Sequence, residues 1–156
     1  MKNIKGIYHY GIAVHNSEEV KKLFTNVLNL KLFQEREIKG EYVDHLVGKP
    51  GSSALVNFYI LEKDQYIETL YWNDENQEVL NDLRLSIKNI GTSHLCLYVE
   101  DIEKIYNEVY EYDKNSLISD RIVEVSSGPN RGSRVFFARF FSYLFIEFFE
   151  RHNSSV

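Results

Sequence analysis

Two histidines and two glutamates stand out because each sits in a segment that otherwise reads as an apolar or aromatic strand. His9 lies in Ile7-Tyr8-His9-Tyr10-Gly11-Ile12-Ala13-Val14 and His94 in Thr92-Ser93-His94-Leu95-Cys96-Leu97-Tyr98-Val99. Glu68 lies in Gln65-Tyr66-Ile67-Glu68-Thr69-Leu70-Tyr71-Trp72 and Glu147 in Tyr143-Leu144-Phe145-Ile146-Glu147-Phe148-Phe149. A carboxylate in the middle of an aromatic strand is costly to bury unpaired, so it is expected to meet a cation or bind a metal. Two imidazoles and two carboxylates make a mixed nitrogen and oxygen donor set. Such a set suits one divalent ion among Ni, Co, Zn, Mn and Fe and leaves room for water or substrate on an ion that prefers six ligands. The competing reading for each glutamate is a salt bridge to Arg134 or Arg139, or exposure on a solvated sheet face.

The spacing repeats. His94 follows His9 by 85 positions (94 − 9) and Glu147 follows Glu68 by 79 (147 − 68), nearly the same offset. Each histidine also precedes a helix-capping residue, Asn16 or Asp101, by seven positions (16 − 9 and 101 − 94). An internal duplication accounts for all of these offsets at once.

The elements that must hold the four residues follow from periodicity. Ile7 to Val14 alternates as a strand; Asn16-Ser17-Glu18-Glu19 then supplies an N-cap with Glu at the reciprocal position. Val20, Leu23, Phe24, Val27 and Leu28 fall at helical spacing, and the chain returns to an extended pattern over Leu30-Lys31-Leu32-Phe33-Gln34-Glu35. A polar loop runs through Gly48-Lys49-Pro50-Gly51. Strands Ala54 to Leu61 and Tyr66 to Trp72 follow as a hairpin. Residues 77–90 read as a linker with a short amphipathic helix carrying Val79, Leu80, Leu83 and Ile87. The pattern then restarts. Thr92 to Val99 is a strand, Asp101 caps a helix with Ile102, Ile105, Tyr106, Val109 and Tyr110 as its stripe, and three strands follow at Ile118 to Val125, Arg134 to Phe140 and Tyr143 to Phe149. The expected fold is α+β: two tandem β-α-β-β-β modules, residues 1–76 and 91–156, within one domain. Side chains alternate across a strand, so His9 shares a face with Gly11 and Ala13, and Tyr8, Tyr10, Ile12 and Val14 should lie under the helix. His94 shares its face with Cys96 and Tyr98.

Composition narrows the function. Hydrophobic residues make up 44% and charged residues 26%, an ordinary globular balance. Tyr (11) and Phe (10) are abundant, which favours strands. A net charge of −5 with scattered basic residues lacks the footprint of a nucleic-acid binder. No apolar run approaches the roughly 20 residues of a membrane span, and the first residues lead straight into a strand, so a cytoplasmic location is expected. Cys96 is the only cysteine, which excludes an internal disulfide and is expected to be a small buried apolar residue. His15, His45 and His152 read as surface residues, with His45 able to visit the mouth of a site. Arg131 and Arg134, beside the turn Ser127-Gly128-Pro129-Asn130-Arg131-Gly132, could meet an anionic group.

With these residues in place, the chain resembles the vicinal oxygen chelate superfamily, which includes glyoxalase I, methylmalonyl-CoA epimerase, extradiol dioxygenases, and the fosfomycin and bleomycin resistance proteins. The resemblance spans essentially the whole chain. It is carried by Ile7 to Val14, Val47-Gly48-Lys49-Pro50-Gly51, Ile67-Glu68, Gly91 to Val99 and Ile146-Glu147, in that order and spacing. It implies that the paired modules form a curved, barrel-like mixed sheet with helices outside and the four metal positions on the inner face. Position by position, His9, Glu68, His94 and Glu147 match the ligand set typical of glyoxalase I. Where the family commonly has an Asp-Pro-x-Gly turn, this chain reads Phe140-Phe141-Ser142-Tyr143, and a slip of one residue there would turn Glu147 to the opposite face.

The resemblance implies a glyoxalase-like lyase or isomerase, akin to lactoylglutathione lyase, acting on a small α-oxygenated carbonyl substrate through a metal-bound enediolate. Glu147 is the first choice for the carboxylate that moves the proton and Glu68 the second. A CoA-thioester epimerase shares this logic. The alternatives are an iron-dependent extradiol-type dioxygenase using His9, His94 and Glu147, or a protein that sequesters a ligand. The expected partners are a small-molecule substrate and a second copy in a homodimer.

Overall fold

The structure is a computed structural model describing residues 6–62, 65–73, 86–88 and 91–152. The chain divides into two compact units, Met1–Val79 and Leu80–Val156. The helix expected across 77–90 lies outside the described residues apart from 86–88.

In the first unit, β1 (His9–Ala13) leads to α1 (Ser17–Lys22), then β2 (Lys31–Lys39), α2 (Glu41–Val47), β3 (Ser53–Glu62) and β4 (Gln65–Trp72). The sheet order is β1-β4-β3-β2, with β1 parallel to β4 and the remaining pairs antiparallel. Asn16 caps α1 as its sequence suggests: its side-chain oxygen accepts from the amides of Glu18 and Glu19, both at 3.1 Å. The helix then widens into a π turn over Leu23–Val27, which sends the Leu28 amide to the Leu23 carbonyl at 3.0 Å. Val20, Leu23 and Phe24 are fully buried against the sheet, where Phe24 meets the equally buried Tyr59 edge-on at 4.9 Å. The buried amide of Asn57 reaches the Ser17 hydroxyl at 3.2 Å whichever way the amide is turned, so this polar group is satisfied inside the core. On the other side of the sheet Ala54, Val56 and Phe58 pack with Ile38, Tyr66, Leu70 and Trp72.

Two expectations need correction here. Residues 41–47 form a helix in place of an irregular approach to the Gly48 loop. The segment hides only Val43 and leaves Tyr42, Leu46 and Val47 exposed, so no apolar stripe marks it in the sequence. Gly48, at φ +70°, closes it. Tyr8 also departs from the helix-side face. It precedes the paired strand, is exposed, and packs beside the rings of His9 and Tyr66.

The second unit contains β5 (Leu95–Tyr98), α3 (Ile102–Asp113), β6 (Val123–Glu124), β7 (Arg134–Phe140) and β8 (Leu144–Glu150). Its order, β5-β8-β7-β6, matches the first, again with the outer strand parallel to its neighbour and the others antiparallel. Both sheets are therefore mixed and open, and the fold is α+β. Ile102 and Val109 of α3 are buried, and the helix lies over Phe136 and Phe148, whose rings stack at 4.7 Å. The strand expected over Ile118 to Val125 shrinks to Val123–Glu124. The amides of both Ile118 and Ser119 turn to the single carbonyl of Phe137, at 2.9 and 3.2 Å, which breaks the ladder upstream. β5 likewise starts at Leu95, immediately after His94.

The final hairpin is in the register that directs Glu147 away from the helix. Phe140 pairs with Leu144 and Phe137 with Glu147. Phe141 and Ser142 both take positive φ (52° and 67°), and the Tyr143 amide donates to the Phe140 carbonyl at 3.2 Å. This is a turn of the primed type, set in a three-residue loop and built without the usual Asn-Gly. No described helix is long and apolar enough to cross a membrane.

Candidate functional site

Each unit brings one histidine and one glutamate together. Cross-strand partners share a face, and the parallel pairing sets Gly11 opposite Glu68 in the first unit and Cys96 opposite Glu147 in the second. His9 and His94 stand two positions earlier on that same face. The resulting contacts are alike: His9 Nε2 lies 3.2 Å from Glu68 Oε2, and His94 Nε2 lies 3.0 Å from Glu147 Oε2. The side chains are 35% and 16% exposed in the first pair and 39% and 20% in the second, so a ligand in solution can reach both. Arg134, one of the two arginines suggested as their partner, pairs with neither glutamate. Arg134 instead clamps Glu150 and Glu103, each at 2.6 Å.

A phenylalanine completes each pair, and the sequence reading passed over both. Phe58 is the antiparallel partner of Glu68 and Phe137 that of Glu147. Each ring meets its histidine edge-on, Phe58 with His9 at 5.8 Å and Phe137 with His94 at 5.4 Å. The rings limit imidazole rotation and lower the local polarity around the carboxylates. Finding them from sequence requires the hairpin register, which strand periodicity does not supply. In the first unit the aromatic surface extends to Tyr8, Tyr66 and Phe33.

Cys96 is a second correction. It is exposed, on the histidine face, and its thiol hydrogen-bonds the Glu147 carboxylate. Partial burial of the sulfur, then the charge of Glu147 and that hydrogen bond, push the thiol up to about 11. Its strand parity with His94 was the available signal.

Each His–Glu pair could present two donors, one nitrogen and one oxygen, to a divalent ion. Two donors, each roughly 2.1 Å from one ion and at a right angle, lie about 3.0 Å apart, close to the separation within each pair; a hydrogen-bonded His–Glu contact has the same length. Glycine at position 11 lets this pair pack closely on the strand, because a Cβ there would come within 3.2 Å of Glu68 Oε2 and 3.8 Å of His9 Nε2. Among the described residues no group of three or more His, Cys, Asp or Glu gathers as a metal site.

The other candidates sit outside these pairs. His15 faces Glu19 at 3.6 Å and His45 faces Glu41 at 3.5 Å, both contacts within one helical turn. The His152 amide donates to the Ser133 hydroxyl at 3.1 Å, so the backbone there is anchored. Arg134 is occupied by its two glutamates and is not poised for an external anion.

The chain belongs to the Glyoxalase/Bleomycin resistance protein/Dioxygenase superfamily, whose profile matches residues 6–140. A glyoxalase family protein from Bacillus cereus is similar in fold, with a TM-score of 0.78 at 15% identity over 96% of each chain. The fosfomycin resistance protein FosX from Listeria monocytogenes, solved with Mn(II) and sulfate, has a TM-score of 0.58 at 10% identity, covering 96% of this chain and 95% of its own. Lactoylglutathione lyase from Agrobacterium tumefaciens gives 0.52 at 15% identity over 96% of each chain. No curated protein matches by sequence. The profile match ends before β8, so Glu147 is located by the hairpin register and not by that match.

Proposed function

We propose that the chain is a metal-dependent lyase or isomerase of the glyoxalase type, acting on a small α-oxygenated carbonyl compound, with His9, Glu68, His94 and Glu147 as the ligands of one divalent ion. The observation that carries this reading is the repeated His–Glu contact, at 3.2 and 3.0 Å, on the sheet face opposite α1 in the first unit and α3 in the second. A divalent ion bound there would supply Lewis acidity toward neighbouring substrate oxygens. The protein's own part is proton movement and placement. A glutamate takes the proton from one substrate carbon and returns it to the next, while Phe58 and Phe137 keep the imidazoles oriented and the surroundings poor in water. The presence of Mn(II) in FosX, and the activity in the lyase's name, belong to those proteins; they make the same chemistry worth testing here.

A second reading draws on the rings of Tyr8, Phe58 and Tyr66 around His9. They suit a catecholic substrate and thus an iron-dependent dioxygenase using His9, His94 and Glu147. Elemental analysis of the purified protein tests the shared premise. Near-stoichiometric Ni, Co, Zn, Mn or Fe is expected, with both His94→Ala and Glu147→Ala losing it. A wild type that stays metal-free after reconstitution would remove the premise. Isomerisation by the Ni, Co or Zn form without oxygen supports the first reading, and oxygen uptake by the iron form supports the second.

A further inference from the structure

In the first unit the ring surface extends well past the His9–Glu68 pair. His9 and Tyr66 are direct partners in the parallel pairing of β1 with β4, and Tyr66 precedes Glu68 by two residues on the same face. Tyr8 bridges them, its ring 5.4 Å from that of His9 and 5.5 Å from that of Tyr66. Phe33 adds a further ring, 5.5 Å from Tyr66. Phe33 arrives there through an irregularity. The pairing of β2 with β3 runs from Leu32 opposite Tyr59 to Gln34 opposite Phe58, so Phe33 is the extra residue of a β-bulge. A bulge re-aims a side chain, and this one sets Phe33 against Tyr66 while leaving it 58% exposed. Tyr8 is 64% exposed. Contiguous large rings left to water beside a polar pair forgo the burial that stabilises such side chains, which marks a surface made to be covered.

The size of the patch decides what covers it. A fully buried aromatic side chain hides about 150–250 Å², so Tyr8, Phe33 and the half-buried Tyr66 together offer roughly 300 Å². A stable protein interface takes about 800 Å² from each partner. The patch is therefore too small to hold a second copy by itself, and it matches one ring of a small molecule. Ring-on-ring contact favours a flat aromatic group over an aliphatic chain. We infer, resting on the lyase or isomerase reading above, that Tyr8, Phe33 and Tyr66 seat an aromatic ring of the substrate and direct the oxygenated carbons attached to it toward His9 and Glu68. The substrate class is then an aryl-substituted α-oxygenated carbonyl compound, and Phe33 is a specificity-determining residue. No bond forms or breaks at the seat; it binds and orients.

The test uses the full chain and two probes, 2-hydroxyacetophenone and hydroxyacetone, which differ by a phenyl ring in place of a methyl group. Binding is followed by proton NMR titration in the wild type and in Phe33→Ala, Tyr8→Ala, Phe33→Trp and Tyr110→Ala, the last removing a 49% exposed ring from α3. The wild type is expected to bind the phenyl compound about 10-fold more tightly than the methyl compound, with cross-relaxation between the phenyl protons and the rings of Phe33 and Tyr66. Phe33→Ala alters an exposed side chain outside the core. It should lose most of that preference by weakening the phenyl compound alone, Tyr8→Ala should do the same, Phe33→Trp should retain it, and Tyr110→Ala should leave it unchanged. No binding of the phenyl compound, equal binding of the two probes, or a preference that survives Phe33→Ala and Tyr8→Ala combined would overturn the inference, whatever metal the protein holds. So would a wild-type dimer that this double variant splits in sedimentation, because a second copy would then cover the rings. A wild type that stays metal-free after reconstitution yet keeps a Phe33-dependent preference would remove the lyase reading and leave the seat standing.

Discussion

Glu150 lies three positions after Glu147 on β8, and strand parity sends the two to opposite faces. Glu150 turns toward α3. Its Oε1 accepts from the amide of Ile102 at 3.1 Å, at the first turn of the helix, and its Oε2 accepts from Arg134 Nε at 2.6 Å. A carboxylate suits that place because the first amides of a helix lack intrahelical acceptors. Glu150→Ala would leave the Ile102 amide without this partner and Arg134 with Glu103 alone, a loss of about 2 kcal/mol for hydrogen bonds to a charged group. The expected result is a lower urea midpoint with metal content unchanged. Loss of metal in this variant would show that Glu150 belongs to the site. At this scale parity was readable in the sequence and correctly set Glu150 apart from Glu147. The partner of Arg134 was not readable, because it depends on how α3 lies against β7 and β8.

Elements were legible where a repeating pattern or a cap marked them. Asn16 and Asp101 cap the helices expected to follow them, and the strands carrying Glu68 and Glu147 lie where alternation puts them. Segments without a pattern were misread: α2 buries one residue, and the backbone before β6 turns both amides to one carbonyl. The turn at Phe141-Ser142 is a local conflict between sequence and structure. Two non-glycine residues adopt the left-handed region, at φ 52° and 67°, to preserve the register that aims Glu147. The surrounding β7 and β8 pairing, with buried Phe136, Ala138, Ile146 and Phe148, outweighs the turn's own preference. Ser142 is exposed. Replacing it with glycine relieves the left-handed penalty against a smaller loss from the freer unfolded chain, for a net gain of about 0.5–1 kcal/mol. Ser142→Gly should raise the thermal midpoint without altering metal affinity. A drop in stability would mean that the serine side chain supports the turn.

At the scale of the whole molecule, each unit of matching strand order holds one imidazole beside one carboxylate. Two donors alone leave most positions of a divalent ion to water and bind it weakly. Four donors from both units bind it tightly but make each half dependent on the other. The two cases predict different stoichiometry. On the four-ligand reading, the 156-residue chain binds one ion, and either His9→Ala or His94→Ala abolishes the tight site. If each pair acted alone, the chain would take two ions and each variant would keep one. Stability follows the same division, because a ligand that binds only the folded state adds about 2.7 kcal/mol at a concentration 100 times its dissociation constant. For a chain of this length that is a rise of roughly 5–10 °C in the thermal midpoint. The rise should disappear in both histidine variants, since neither unit alone retains the tight site. Half the rise in each variant would instead describe two independent half-sites and sink the shared centre.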